Sequence, residues 1–485
     1  MAKNLLFITT DQQRWDSLPC YGLDFIQTPA LDRLAQEGMV FENCSVTSPV
    51  CVPCRAALLS GQYPSTCGVL GNGGWLNPSV PTWPALLGAT GRRTAGIGKM
   101  HFSPWDDLGG FDERIIAEDK RHVYLPDDHV HFLKAHGYDR PHPVSLPQYF
   151  ESLGAPVTPR PKKFHVDGFT GDQAAAWLEK NGADPFAVWV SFAGPHDPYD
   201  PPEEMADLYY DAPIPEPYGS AAELASKPPA QHGRNRGSLD NSMFRIDPSL
   251  ATPEQYRRWR AHYYANITLI DEGIGKMLQA LEAAGTLEDT LIVFTSDHGD
   301  ALGDHGLSYK GFFYDCMVHV PLLIRGPGVP AGQRSPALVS TLDLVPLFYR
   351  ACNAPLPQTL QGEDITPLFA NPASSIRNAV FSEIQGRTMV LTGDYKYVHY
   401  ADGSAELYDV AADPQELTNL AGDPQYRDAE HHLRGLLVEH SLANLPLQAR
   451  VNDQPPYRVR AILERRYRAF RNNGGRPEDA PAPSF

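Results

Sequence analysis

Short apolar runs, each leading to a residue able to do chemistry, alternate with helical segments through the first two-thirds of the sequence. Asn4–Thr9 ends in Thr10-Asp11, and Thr94–Gly98 leads to Lys99. Phe186–Phe192 is followed by Gly194-Pro195-His196, and Leu291–Thr295 by Ser296-Asp297-His298. Apolar runs of this length, bounded by turn residues, read as buried strands. Between them lie helical segments. Thr28 and Pro29 open one as N-cap and first-turn proline, and Gly38 closes it. Pro84–Ala89, Thr170–Lys180 and Pro253–Ala284 are the others. The alternation predicts an α/β fold with a large, mostly parallel sheet sandwiched by helices. Ligands of such sheets bind beyond the carboxyl ends of the strands. Asp11, His196 and Asp297-His298 are therefore expected to converge, although they are far apart in sequence.

The segment Pro253–Ala284 has Thr252 as its N-cap and Gly285 as its stop, and Tyr256, Trp259, Ile267, Ile270, Ile274, Met277 and Leu281 recur at helical spacing. That stripe reads as core. Pro202–Thr252 is rich in Pro, Ala, Ser and Gly and reads as a long surface excursion. From Arg377 the pattern changes to short antiparallel strands, Ala379–Glu383, Thr388–Thr392, Tyr395–Tyr400 and Glu406–Asp409, with a helix over Asp428–His440. The expected division is a catalytic domain at 1–376, a smaller C-terminal α+β domain at 377–450 and a tail at 451–485. The tail is rich in Arg and Pro and reads as an oligomer arm or as disorder. Homo-oligomerisation stays open.

A chain of 485 residues is long enough for this division, because single cores stop growing at roughly 250–300 residues. Its net charge of −17 argues against nucleic acid and anionic membranes as partners. The N-terminal apolar run is too short for a secretory signal and lacks a small-residue cleavage site. No stretch approaches the ~18 apolar residues of a membrane span. The expected location is cytoplasmic, so the seven cysteines are not expected to form a disulfide framework.

The most specific segment is Cys51-Val52-Pro53-Cys54-Arg55-Ala56-Ala57-Leu58-Leu59-Ser60-Gly61. Pro53 suits the first turn of a helix. The N-terminus of that helix would set positive potential beside an anionic group. Taken alone, Cys51 and Cys54 also fit a disulfide or half of a zinc site. Three further runs carry candidate chemistry: Gly98-Lys99-Met100-His101, Thr295-Ser296-Asp297-His298-Gly299-Asp300 with Leu302-Gly303-Asp304-His305-Gly306, and Lys310, which lies 13 residues past Asp297. Other histidines between His122 and His165 have no such motif around them and read as loop or surface residues.

These segments resemble the formylglycine-dependent sulfatases of the alkaline phosphatase superfamily, over nearly the whole chain. The family signature is Cys-x-Pro-x-Arg followed by Leu-x-Thr/Ser-Gly, and only Cys51 has Pro at +2 and Arg at +4. Cys54 stands where the family usually has Ser. The resemblance implies that a formylglycine-generating enzyme, a partner in maturation, oxidises Cys51 to formylglycine (3-oxoalanine). One hydroxyl of its hydrate attacks sulfur to give a covalent sulfo-enzyme, and the other later expels sulfate. Arg55 would neutralise the diol or hold the sulfate. Asp11, Asp297 and the oxygen at residue 51 would ligate one divalent ion, with Gln12 and His298 completing the shell. Many sulfatases have a second Asp in place of Gln12 and Asn in place of His298. Ca²⁺ comes first by resemblance, with Mn²⁺ or Mg²⁺ as alternatives. Lys99 would bridge sulfate and diol, and His101 would hydrogen-bond the formylglycine. Lys310 and His196 would take the leaving-group side as donor and general acid. The implied substrate is a small-molecule sulfate ester, hydrolysed by a sulfuric ester hydrolase. Its organic part is not readable; Ser103–Asp139, Pro202–Thr252 and Arg387 are the places to look for selectivity.

Two rivals remain. A phosphonate monoester hydrolase or phosphodiesterase of the same superfamily also pairs Asp-Gln with Asp-His, but typically lacks the Lys99–His101 pair. A binding protein on a dead sulfatase scaffold would lack the nucleophile or the lysines, and none is missing here.

Overall fold

The computed structural model of the protein describes residues 2–219, 223–232 and 251–448. Its main sheet has eight strands: β1 (Asn4–Asp11), β2 (Met39–Ser45), β3 (Arg93–Gly98), β4 (Glu113–Ile116), β5 (Phe186–Pro195), β6 (Thr290–Ser296), β7 (His319–Arg325) and β8 (Gln333–Ser340). Their order is β4-β3-β5-β1-β6-β7-β2-β8. Every pairing is parallel except those of β7, which runs against both β6 and β2. The sheet is thus mostly parallel, as the alternating pattern implied.

Central strands are buried on both faces, which is why they read as unbroken apolar runs. All eight residues of β1 are buried. Its side chains alternate between two cores, as a period of two requires. Leu6 and Ile8 join the core beneath the Val166–Asn181 and Pro253–Ala283 helices. Leu5 and Phe7 join the opposite core, with Leu58, Trp83 and Phe348 from the Cys51–Ser60, Trp83–Gly88 and Leu344–Ala351 helices. The two helices of the first core touch at Gly171 and Gly273. A Cβ on Gly171 would lie 2.7 Å from the Gly273 Cα, so the contact excludes side chains.

The long helix begins at Pro253 with Thr252 as N-cap, in a capping box with Gln255. The helix Pro29–Glu37 departs from expectation. Thr28 makes no capping bond to its backbone. The Asp271 carboxylate, reaching from the long helix, accepts from Ala30 N and Leu31 N at 3.0 and 2.8 Å instead. A buried carboxylate satisfies two helix-end amides where a hydroxyl satisfies one.

The reading of Pro202–Thr252 as a surface excursion is corrected where the chain is described. Met205, Tyr209 and Ile214 are buried in the first core. Lys227 and Gln231 are buried against the C-terminal sheet, where Lys227 Nζ donates to Tyr408 Oη and Glu416 O, and Gln231 Nε2 to Glu406. The remainder, 220–222 and 233–250, lies outside the described residues, as does the tail 451–485.

The C-terminal sheet is an antiparallel meander, β9 (Val380–Ile384), β10 (Arg387–Leu391), β11 (Tyr395–Tyr400) and β12 (Ala405–Asp409), in the order β12-β11-β10-β9. Val390, Tyr397 and Leu407 pack against Leu433 and Leu437 of the Arg427–Gln448 helix. Met389, Val398 and Tyr400 face the other way, into the second core of the main sheet. No helix among the described residues is long and apolar enough to cross a membrane.

Candidate active site

The strand registers bring the site together. Gly98 lies opposite Ser191, Asp11 opposite Pro195, and Thr10 opposite Ser296. The carboxyl ends of β3, β5, β1 and β6 therefore stop side by side. Asp11 closes β1 beyond a register shift, and Gln12 then takes φ 72°. Lys99, His196 and Asp297 each follow their strand directly.

Cys51 is the first residue of its helix and is fully buried. Its sulfur lies 3.1 Å from His298 Nε2 and 3.8 Å from Asp11 Oδ1. Pro53 sits within the first turn, where a missing N–H costs nothing. Arg55 follows one turn later on the same face. It donates from Nε to Asp297 (2.8 Å), from Nη1 to Lys99 O and Ser191 Oγ (2.6 and 2.7 Å), and from Nη2 to Asp11 (3.1 Å). Arg55 thus fixes and neutralises both carboxylates rather than facing open space.

Lys99 is fully buried, 2.8 Å from Asp11 Oδ2 and 3.0 Å from Asp119 Oδ2. Burial works against its charge, but the two carboxylates outweigh burial and hold it protonated. Burial likewise favours a neutral Asp11; Lys99, Lys310 and Arg55 prevail and hold that carboxyl well below its usual range. His101 has φ 60°, and Met100 N and His101 N both donate to Glu118. Among the described residues, His101 Nδ1 is buried without a hydrogen-bond partner. Burial, then Lys99, holds this imidazole neutral.

His298 Nδ1 lies 2.9 Å from Gly299 O. That carbonyl fixes the proton on Nδ1 and turns the Nε2 lone pair toward Asp11 and Asp297, at 3.8 and 3.6 Å. Ligand atoms of Asp11, Cys51, Asp297 and His298 all lie within 4.8 Å of one another. Two carboxylates, an oriented imidazole and a fourth atom at residue 51 form a donor set that suits one divalent ion. Gln12 sits beside them. Its Oε1 accepts from Lys310 Nζ at 2.5 Å, and its Nε2 donates to Asp300 at 2.6 Å. Lys310 Nζ is 3.8 Å from Asp11 Oδ1.

His196 Nδ1 lies 2.8 Å from Asp197 O, and its Nε2 lies 3.1 Å from Arg121 Nη2 and 4.0 Å from Asp11. Burial first, then Lys310 and Arg121, hold it neutral. Arg121 and its clamp Asp119 are residues that sequence reasoning missed. Asp119 accepts from Arg121 Nε and Nη2 at 3.0 and 2.8 Å and also from Lys99. Within the run Glu118-Asp119-Lys120-Arg121 they look like solvated charge. Their only signal is a place just beyond a strand, since β4 ends at Ile116. Two histidines read as surface are buried instead. His129 Nε2 meets Phe164 O, and His165 caps the Val166–Asn181 helix.

A cavity of about 260 Å³ adjoins Arg55 and His101, walled by Val52, Leu59, Leu76 and Phe102.

Comparison with known proteins bears on this arrangement directly. The family model described as Sulfatase matches residues 3–354. A second, described as N-sulphoglucosamine sulphohydrolase, C-terminal, matches residues 303–442. The choline-sulfatase of Rhizobium meliloti is 32% identical over 440 residues, covering 87% of this chain and 83% of that protein. The arylsulfatase of Clostridium perfringens is 29% identical over 472 residues, covering 90% and 94%. Among solved structures, a phosphonate monoester hydrolase of Agrobacterium radiobacter superposes with a TM-score of 0.79 at 27% identity, covering 91% of this chain and 96% of that one. The sequence match and the shared architecture agree: the chain belongs to the sulfatase family, sulfuric ester hydrolases of the alkaline phosphatase superfamily.

Proposed function

We propose that the protein hydrolyses sulfate monoesters with residue 51 as nucleophile, after oxidation of Cys51 to formylglycine, and with one divalent ion held by Asp11, Asp297, His298 and the residue 51 oxygen, beside Gln12. The observation that carries this reading is the meeting of Cys51, two carboxylates and a buried lysine at the ends of β1, β3 and β6. Burial, then Asp11, push the Cys51 thiol up to about 11, so a free thiolate is disfavoured there. A hydrated aldehyde would instead supply a hydroxyl nucleophile. A bound ion would polarise the ester and lower the pKa of that hydroxyl. Oxygen donors favour Ca²⁺, while the imidazole of His298 also admits Mn²⁺, and Mg²⁺ remains an alternative.

The chain's own residues divide the remaining work. Arg55 holds Asp11 and Asp297 in place. Lys99 sets a positive charge beside Asp11, on the sulfate side. His101, neutral and with Nδ1 unpartnered, would be the group that exchanges a proton with residue 51. Lys310 donates toward the leaving oxygen. His196 lies beside it, but its Nε2 accepts from Arg121 in this arrangement. It can act as an acid only after that bond is released and Nε2 gains a proton.

A second reading is hydrolysis of phosphonate monoesters or phosphodiesters. The likeness to the Agrobacterium radiobacter structure favours it, as does Gln12, whose N–H donates to Asp297 within the candidate metal cluster. Two measurements test the proposal. Mass spectrometry of the peptide carrying residues 51 and 54 should show a loss of about 18 Da at residue 51 and an intact Cys54. Steady-state kinetics should show higher kcat/KM for an aryl sulfate than for the matched phosphodiester. An unmodified Cys51 in a fully active enzyme, or a preference for the diester, defeats it.

A further inference from the structure

Arg121 is held more rigidly than a loop arginine needs to be. Nε and Nη2 form a fork on Asp119, and Nη2 also reaches His196 Nε2 at 3.1 Å. The same Asp119 oxygen takes Lys99 Nζ at 3.0 Å, so one carboxylate sets both cations. Among the described residues Nη1 makes no hydrogen bond: Asp197 Oδ2 stands 3.8 Å from it, beyond hydrogen-bond distance. The side chain is 22% exposed, whereas Arg55 and Lys99 are sealed at 1% and 0%. Its two partners place it beside the nucleophile's cluster: Asp119 also holds Lys99, and His196 Nε2 lies 4.0 Å from Asp11 Oδ1. It is thus a fixed cation at the rim of the nucleophile's chamber, on the His196 side, with two N–H groups of Nη1 directed away from its clamp.

We propose that Arg121 is a specificity-determining residue that binds an oxyanion on the organic part of the ester, close to the scissile bond. The inference rests on the sulfate-ester reading and names the substrate class for it: esters with a neighbouring carboxylate or a second sulfate. A charge-assisted bond to a planar, preorganised guanidinium is the recognition arginine supplies best. Lys99, buried between Asp11 and Asp119, does not present its charge at the rim as Arg121 does. A cationic organic part placed here would instead meet the guanidinium.

Three esters test it: phenyl sulfate, 2-carboxyphenyl sulfate and 1,2-phenylene disulfate. Their intrinsic reactivities differ, so the readout is how kcat/KM changes from wild type to variant for each. Arg121→Gln should cost a substrate with the adjacent oxyanion about 10–100-fold more than phenyl sulfate, the scale of one lost charged hydrogen bond. Arg121→Lys keeps the charge without the fork and should recover part of the difference. Whichever substituted ester responds identifies carboxylate or sulfate as the source. Equal losses on all three esters would overturn the proposal and leave Arg121 as a support for His196. If wild type cleaved phenylphosphonates but no sulfate, the sulfate reading would fail. The same substituent comparison on those phosphonates would still decide the role of Arg121.

Discussion

At the scale of single residues, Lys99 and His101 separate the two chemistries this site resembles. A sulfate monoester presents three terminal oxygens; a diester has two, with a second organic group in place of the third. Lys99 is locked beside Asp11, and His101 stands in a left-handed conformation with an unpartnered Nδ1. On the proposed reading both would crowd that extra group. Losing one donor to developing charge typically costs ~10²–10³ in rate. Lys99→Ala and His101→Ala should each lose that much aryl sulfatase activity while losing far less phosphodiesterase activity. Equal losses on the two substrates would move the protein to the phosphonate hydrolase branch. These two residues were legible in the sequence because Gly-Lys-x-His follows an apolar run. Asp119 and Arg121 were not, because a run of mixed charges after the edge strand β4 has the signature of a solvated turn. Only the fold shows that Asp119 is 1% exposed and shared by two cations.

At the scale of elements, the chain holds the Pro29–Glu37 helix by its start. Asp271 supplies both acceptors for Ala30 N and Leu31 N. Asp271→Ala strands two buried amides and should destabilise the protein by about 1–3 kcal/mol, read by chemical denaturation. Burial pushes the Asp271 carboxyl from 3.8 up to about 7, although the two amides pull it back. The folded state then binds this proton more tightly than the unfolded chain. The contribution is fully present below pH 3.8 and is lost as pH rises toward about 7. The stability difference between wild type and Asp271→Asn should shrink across that window; a flat difference would mean the amides keep the carboxylate ionised. Thr28 is a plausible cap by type, yet its partner came from a helix more than 200 residues away, which no local pattern announces. The sheet repeats the lesson. β1, β3, β5 and β6 are uninterrupted and were readable. β7 and β8 carry Pro321 and Pro336, residues that argue against a strand. Both prolines sit opposite irregular pairing of β2, between Phe41 and Cys44 and between Phe41 and Asn43 respectively. The missing N–H of each falls where the ladder is already broken.

At the scale of the whole molecule, a chain of net charge −17 gathers Arg55, Lys99, Arg121 and Lys310 into one place. Four carboxylates, Asp11, Asp119, Asp197 and Asp297, stand against them. Asp11 and Asp297 lie on β1 and just past β6, and residue 51 starts a helix 40 positions from Asp11 and 247 from His298. A divalent ion held there would join three elements that sequence keeps apart, and the unfolded chain offers no such site. Binding to the folded state alone stabilises it by about 2.7 kcal/mol at a free ion concentration roughly a hundred times Kd. Chelation should therefore lower Tm, and titration with Ca²⁺, Mn²⁺ or Mg²⁺ should restore it in proportion to the affinity of each. The shift does not depend on turnover, so it can be measured by calorimetry whether or not Cys51 has been oxidised. Asp297→Asn removes a ligand charge but little volume, and should abolish the response. It also leaves Arg55 short of one partner, so its own Tm should start lower. An unchanged Tm for wild type with all three ions, together with full activity after chelation, would show that Asp11, Asp297 and His298 hold no metal.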